Sequence, residues 1–406
     1  MLVQEYLKTH SLEQLKEEHA VNYRIHGHKF SLNYDMIEAR DENPICCECR
    51  GLVLCPENAT ASLVIEPTKI VGSTKILARG MNRFFNFGQG AAADVNFEAK
   101  TTKFFNKLDG SYTALHFDYA LGEWCVSTRS VPEADLPIDG FGNLTFRKLF
   151  EKAVCETTLN ESFSDWLKAA KPKIGYTYIL ELCTPANRVV VEHKDFKVYL
   201  IAIRNNLTGQ EYDINSPEGR LEGIPLCESY SLGSLKEMLD FVANRSPSEY
   251  EGIVAMDYQF NRVKVKNAGY LALSRIKESA IRSPRALLEL CLLERLDDAL
   301  PLLPAHLVAE AGLVKERLGS FINNSNKLYS ECLETAKNNS PDKKDERECR
   351  KQMALAIQAT AGAWMPYMMA LYLRRVSSFE EFMNSHKSDR GEYNDSILDT
   401  LMRLIS

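Results

Sequence analysis

The first twenty residues place apolar and charged side chains at helical spacing, with Ser11 as a cap and Gln14 three residues on. The pattern then turns strand-like. Short apolar runs at 52–54 and 63–65 stand between turn residues. Strict alternation at 112–117 and 124–128, joined near Gly122, predicts a hairpin. Residues 143–170 read as helix, with Leu144, Leu149, Phe150 and Trp166 on mixed apolar spacing. Residues 176–182 and 199–204 read as strands, and 225–241 contain an amphipathic helix. The runs 250–255 and 261–267 predict a second hairpin.

The last third is helical in pattern. Ser283 and Pro284 make a cap and first-turn proline, and a leucine-rich run follows until Pro301 and Pro304 end it. Further helices are predicted at 305–335, 343–375, 378–387 and 393–405, with a break at Asn338-Asn339-Ser340-Pro341. Residues 353–373 carry no formal charge and could pass for a membrane span. Gln358, Thr360, Gly362 and Pro366 interrupt them, so a buried, kinked helix is the reading and no membrane partner is expected.

With 406 residues, 45% of them apolar and 26% charged, the chain has the makings of a globular protein of two or three domains. The formal charge of −6 spreads over both parts and neither is basic. A phosphate-binding surface must therefore be a local patch. Eleven scattered cysteines and an N-terminus with no apolar signal region set the expectation of free thiols in the cytoplasm, or the host cytoplasm for a viral chain. Cys46 and Cys49, with His26 and His28, could be drawn as a zinc site. No second cysteine pair follows, so buried or spare thiols are the preferred reading.

Four stretches carry chemistry. Lys107 follows two phenylalanines and precedes Asp109-Gly110-Ser111, as a lysine at the end of a strand that turns back over a pocket. A solvated hairpin lysine would look the same. Residues 79–87 hold three phenylalanines and two arginines, either a stacking platform with phosphate donors or a hydrophobic cluster with solvent-facing arginines. Glu181 is a lone carboxylate in an apolar strand, which is costly unless it is paired or metal-linked. Lys264 and Lys266 share one face of a strand, and Glu251 stands thirteen residues before Lys264, where a hairpin partner belongs. An anion would relieve the two lysines. A lysine-guarded edge strand is the plainer alternative.

As a set, Lys107-Leu108-Asp109-Gly110, Glu181, Glu251-Gly252 and Lys264-Val265-Lys266 resemble the motif series of the covalent nucleotidyltransferases: DNA ligases, RNA ligases and mRNA capping enzymes. Cys49-Arg50-Gly51-Leu52-Val53, Arg83-Phe84-Phe85-Asn86 and the helical tail resemble one branch, the phage-type RNA ligase 1 family. The resemblance implies an α+β fold. An antiparallel-sheet nucleotidyltransferase core would occupy residues 1–277, with an all-α domain for RNA or tRNA recognition at 278–406. It implies an ATP-dependent RNA ligase, monomeric, that joins 5′-phosphate and 3′-hydroxyl ends through lysyl-AMP and RNA-adenylate. The resemblance further implies Mg²⁺ as the metal, with Mn²⁺ able to substitute. The substrate would be broken tRNA in RNA repair, with a polynucleotide kinase/phosphatase as functional partner.

By motif match Lys107 is the nucleophile and Gly110 permits close backbone approach. Arg50, Arg83 and Arg129 hold phosphates, and Phe85 lines the adenosine pocket. Glu181 contacts ribose or organises the later steps. Glu251 helps to hold the metal, and Lys264 and Lys266 grip the α-phosphate. Tyr270 and, more loosely, Tyr34 contact the nucleotide. Asp297 and Asp298 fall where the family carries acidic residues near a metal, although a solvated helix face is the preferred reading of that spacing. Arg83 and Arg129 depart from lysines found in the family, which keeps the charge and changes its geometry. A DNA ligase, a capping guanylyltransferase or a non-catalytic RNA-binding relative are the alternatives. The first two should carry a β-barrel where helices are predicted here.

Overall fold

The computed structural model describes residues 1–35, 38–138, 143–216, 220–271, 273–274, 284–292, 296, 303, 305–340, 345–360, 364–387 and 393–405. The chain divides into two compact units, Met1–Leu271 and Ala272–Ser406.

The N-terminal helical stretch is two helices, α1 (Leu2–Leu7) and α2 (Leu12–His19). Ser11 caps α2: its side chain accepts from the Gln14 amide, and Gln14 Oε1 accepts from the Ser11 amide at 2.9 Å. Such a cap contributes about 1 kcal/mol. Strands β1 (Val21–His26), β2 (Lys29–Tyr34), β3 (Leu52–Pro56) and β4 (Thr74–Ala78) form an antiparallel sheet in chain order, with α3 (Pro44–Glu48) between β2 and β3. Val3, Leu7, Leu12 and Leu15 bury against Phe30, Leu32, Leu52 and Leu54. Residues 63–65 are a loop rather than the predicted strand. Ile65 reaches the core, but Val64 is 73% exposed, so the run has no second face to bury.

Ten strands follow: β5 (Phe85–Asn86), β6 (Lys103–Asn106), β7 (Ser111–Asp118), β8 (Glu123–Thr128), β9 (Tyr176–Cys183), β10 (Lys197–Asn205), β11 (Glu211–Tyr212), β12 (Ser229–Tyr230), β13 (Gly252–Met256) and β14 (Arg262–Lys266). They make two five-stranded sheets, ordered β11-β10-β9-β7-β8 and β12-β6-β13-β14-β5. All of their pairings are antiparallel except β14 with β5.

The sheet containing β9 is covered on one face by α4 (Phe146–Thr158) and α5 (Phe163–Ala170). The predicted 143–170 helix breaks because Leu159 turns left-handed and Ser162 caps a new start. Tyr178, Leu180 and Leu182 bury with Phe150 and Trp166 on this face. Ile179 points the other way, packing with Ala202, Val53 and Leu77. Strand periodicity puts Glu181 on the Ile179 face. In the other sheet, Met238 and Val242 of α6 (Leu235–Ala243) cover Phe104, Ile253, Ala255 and Val263. The opposite face carries the cross-strand row Phe105, Val254, Lys264. The helix expected within 225–241 is α6, and Ser229 and Tyr230 before it pair with β6.

The second unit is helical throughout its named elements: α7 (Pro284–Leu292), α8 (Ala305–Asn339), α9 (Glu346–Gln358), α10 (Met365–Tyr372), α11 (Phe379–Asn384) and α12 (Asp395–Ile405). The predicted 343–375 helix is two, and Pro366 occupies the first turn of the second. Leu287, Leu318, Trp364, Phe382 and Leu401 belong to its larger core. Among the described residues, no helix is long and apolar enough to cross a membrane. Asp297 and Asp298 lie outside the described residues. The α+β class with antiparallel sheets and a helical C-terminal unit is as the sequence implies.

Candidate active site

Lys107 follows the last residue of β6, and its amide still donates to the Gly252 carbonyl at 2.9 Å. Gly252 in turn pairs with Lys266 across β13 and β14. This register brings three charged groups to one point. Lys107 Nζ lies 2.7 Å and Lys266 Nζ 2.9 Å from the same oxygen, Glu251 Oε1. The Glu251 side chain is only 4% exposed, whereas Lys107 keeps 22%, so the amine is reachable and its counter-ion is not. A Cβ on residue 252 would stand 2.1 Å from the Val265 carbonyl oxygen, so only glycine lets the strands close here.

Lys264, two residues back on the same strand face, donates from Nζ to the Phe84 carbonyl at 3.2 Å. Its ammonium also stands 5.2 Å from the Phe84 ring centroid. Arg50 caps the other side, 5.4 Å from the Phe84 ring and 5.3 Å from that of Tyr112. Arg50 Nη1 is buried without a hydrogen-bond partner. A buried guanidinium nitrogen left unpaired is an anion donor held in readiness.

The excess positive charge registers on its members. Burial, and then Lys107, Lys266 and Arg50, draw Lys264 down to about 8 against the weaker pull of Glu251. Glu181 moves the other way. Burial, with Glu251 adding to it, raises its carboxyl to about 7, although Lys107, Arg50 and the Gly110 amide favour the anion.

Asp109, the residue that reads in sequence as a mere turn former, anchors the loop of Lys107. Its Oδ2 accepts the amides of Val190 and Val191 at 2.8 and 2.6 Å, and its Oδ1 accepts the Tyr270 hydroxyl at 2.6 Å. Tyr270 is thus buried behind the site, with its ring 5.5 Å from Lys266 Nζ. Gly110 does allow a close approach, and the approach is to protein: a Cβ there would lie 2.4 Å from the Leu182 carbonyl oxygen and 2.9 Å from Cys183 Sγ. Gly110→Ala should cost about 1–3 kcal/mol by forcing the loop off β9. A urea titration reads that loss.

Lys107 stands between two cavities. The narrower, about 90 Å³, is walled by Phe84, Phe105, Val254 and Met256. The wider, about 600 Å³, is lined by Arg50, Tyr112, Arg129 and Glu181. The structure therefore gathers Lys107, Arg50, Glu181, Glu251, Lys264 and Lys266, with Arg129 across the wider cleft. Arg83, Phe85 and Tyr34 form a separate stack. The Arg83 guanidinium is 4.3 Å from the Tyr34 ring and 4.8 Å from Phe85, and pairs with Asp41 at 2.7 Å. Phe85, expected at the adenosine pocket, lines the cavity next door, and Phe84 walls the pocket at Lys107. The reason is β5: Phe85 enters the sheet opposite Val263, and Phe84, just outside it, turns to the lysines.

Among the described residues no three His, Cys, Asp or Glu side chains gather as a metal cage. Cys46 Sγ donates to the His19 carbonyl, and His28 pairs with Asp118 instead of approaching the cysteines. At Lys107 the oxygen donors are Glu251 and Glu181. One or two carboxylates suit an Mg²⁺-type ion that takes its other ligands from phosphates and water.

The chain is similar to known RNA ligases. A family described as RNA ligase matches residues 48–270. A putative bifunctional polynucleotide kinase/RNA ligase of Autographa californica nuclear polyhedrosis virus is 27% identical over 311 residues, 72% of this chain and 40% of the relative. The chain thus spans two fifths of that relative's length. Among solved structures, an archaeal ATP-dependent RNA ligase is 12% identical with a TM-score of 0.42, covering 92% of this chain and 98% of the other. A mutant RNA ligase of Naegleria gruberi, with ATP and Mn, is 14% identical with a TM-score of 0.31, over 44% of this chain and 52% of the other.

Proposed function

Since the chain belongs to the RNA ligase family, we propose that it is an ATP-dependent RNA ligase whose reaction begins at Lys107. The observation that carries the reading is the sharing of one Glu251 oxygen by Lys107 and Lys266, with Lys264 and Arg50 close by. Lys107 Nζ attacks the α-phosphorus of ATP. A P–N bond forms, the P–O bond to the β-phosphate breaks, and pyrophosphate leaves. An oxygen of an RNA 5′-phosphate then displaces the lysine, giving RNA-adenylate and returning the amine. Finally a 3′-hydroxyl attacks that 5′-phosphate, forming the phosphodiester and releasing AMP.

Each residue has a task that its position supports. Glu251, buried and fixed, holds the Lys107 amine in line. Lys264, Lys266 and Arg50 neutralise charge that grows on the phosphoryl oxygens, the main need of phosphoryl transfer. Arg129 holds phosphate in the wider cleft, and Phe84 with Phe105 offers faces for the base. Glu181, drawn up to about 7, can exchange a proton near neutral pH and suits the hydroxyl-handling steps. Bound Mg²⁺ or Mn²⁺ would supply phosphate shielding at Glu251. The helical unit is assigned to RNA recognition, with broken tRNA as substrate and an end-healing kinase as partner. The kinase/RNA ligase named for the viral relative favours that partnership.

Sealing of an RNA strand with 5′-phosphate and 3′-hydroxyl ends, with adenylylated RNA followed as intermediate, tests the reading. Sealing without ATP, or no sealing with it, would contradict it. A pH series adds a signature. Lys264 grips phosphate only while protonated, so the ATP concentration for half-maximal adenylylation should rise as pH passes about 8. Lys264→Arg, which stays charged, should flatten that rise.

A further inference from the structure

The cationic face of β14 does not stop at Lys264. Arg262 is the next residue on that face, and it opens into a cleft of about 570 Å³ that the scheme above leaves unused. The cleft carries a net positive charge. Arg262 pairs with Glu211, its Nη1 at 3.0 Å. Arg204 is held by neutral oxygens: its Nε donates to Gly209 at 2.9 Å, and its Nη1 to the Gly80 carbonyl at 2.7 Å and to Asn82 Oδ1 at 2.9 Å. Arg79 lies against Gly209, with its Nε buried and without a hydrogen-bond partner. Arg83, Arg204 and Arg262 line the cleft; Glu211 pairs with Arg262 and Asp41 with Arg83, while Arg79, behind Gly209, has Glu48 as its nearby carboxylate. Burial, then the like charges of Arg79 and Arg262, bring Arg204 down to about 10, a sign of the same crowding.

At the rim stands the β13–β14 turn. Asp257 Oδ1 accepts the amides of Gln259 and Asn261, both at 2.9 Å, which stiffens it. On this turn Tyr258 is 71% exposed. A solvent-facing aromatic on a braced turn whose Gln259, Phe260 and Asn261 line an arginine-bearing cleft is what a single strand needs: a face for a base and fixed donors for its phosphates.

We infer that the cleft lined by Arg204 and Arg262 and the Tyr258 turn hold the phosphodiester backbone and a base of single-stranded RNA, and that the cationic face of β14 leads the strand to Lys107. The ligase reading supplies the identity of the strand. The charge and the aromatic supply its path.

The test titrates full-length protein with fluorescent single-stranded RNA, and separately measures lysyl-AMP formation from ATP without RNA. Tyr258→Ala should weaken RNA binding by about 5- to 10-fold through the lost stack. Gln259→Glu should weaken it and Gln259→Lys strengthen it, each by about 3-fold at low salt, with the difference closing as salt rises. Lysyl-AMP formation should be unchanged in all three. Unaltered RNA affinity in all three variants would overturn the inference. So would a changed ATP requirement with RNA binding intact, which would give the cleft to the triphosphate tail. Absence of lysyl-AMP in the unsubstituted protein would count against the ligase reading, while the RNA titration would still decide this one.

Discussion

Lys107→Ala should abolish sealing from ATP, a loss of at least about 10⁴-fold, while leaving the sealing of RNA that already carries a 5′-adenylate within about tenfold of normal. The split follows from where the lysine acts. In the proposed reaction it makes and passes on the adenylate, whereas in the last step the attacking group is a 3′-hydroxyl and the leaving group is AMP. Lys107 also shares Glu251 Oε1 with Lys266, so its removal leaves that carboxylate with an ammonium partner still at 2.9 Å. The variant should therefore fold. Equal loss of both reactions would mean that Lys107 organises the site rather than carrying the adenylate.

Lys29→Met should destabilise the protein by about 3–5 kcal/mol, a cost seen when one partner leaves a buried ion network. Lys29 is fully buried, 2.9 Å from Asp118 Oδ2 and also paired with Glu133. His28 approaches the same Asp118 oxygen at 2.9 Å, and Arg147 approaches Glu133 at 2.6 Å. The network ties β2 of the first sheet to β7 of the second and to the segment before α4. Without the lysine, two buried carboxylates share less compensation than they need. Adding Asp118→Asn and Glu133→Gln to Lys29→Met should recover part of the loss. Urea midpoints of the three proteins measure this. A midpoint for Lys29→Met equal to that of the unsubstituted protein would show the network to be dispensable.

The site was legible in the sequence wherever its spacing was local. Lys264 and Lys266 lie two apart on one strand, and Glu251 reaches them across a single tight turn, so period and loop length alone bring them together. The class of the fold was legible for the same reason, since alternating runs and short turns mark antiparallel sheets. What escaped depends on contacts between distant segments. Asp109 finds its donors at Val190, Val191 and Tyr270, 81, 82 and 161 residues away. Whether Phe84 or Phe85 faces Lys107 turns on a two-residue strand that pairs in parallel with β14, too short to leave an alternation. Lys29 begins a strand, and nothing nearby in sequence reveals Asp118 and Glu133 as its partners. The broken helices hide in like manner. Leu159 adopts a left-handed turn that leucine seldom takes, so its composition gives no warning.

The most direct measurement is the mass of the protein after incubation with ATP and Mg²⁺, followed by peptide mapping. The account predicts a gain of one adenylate, on the peptide containing Lys107 and on Lys107 itself, removed on addition of pyrophosphate. An unmodified protein, an adduct on another residue, or a guanylate taken up from GTP in its place would contradict it.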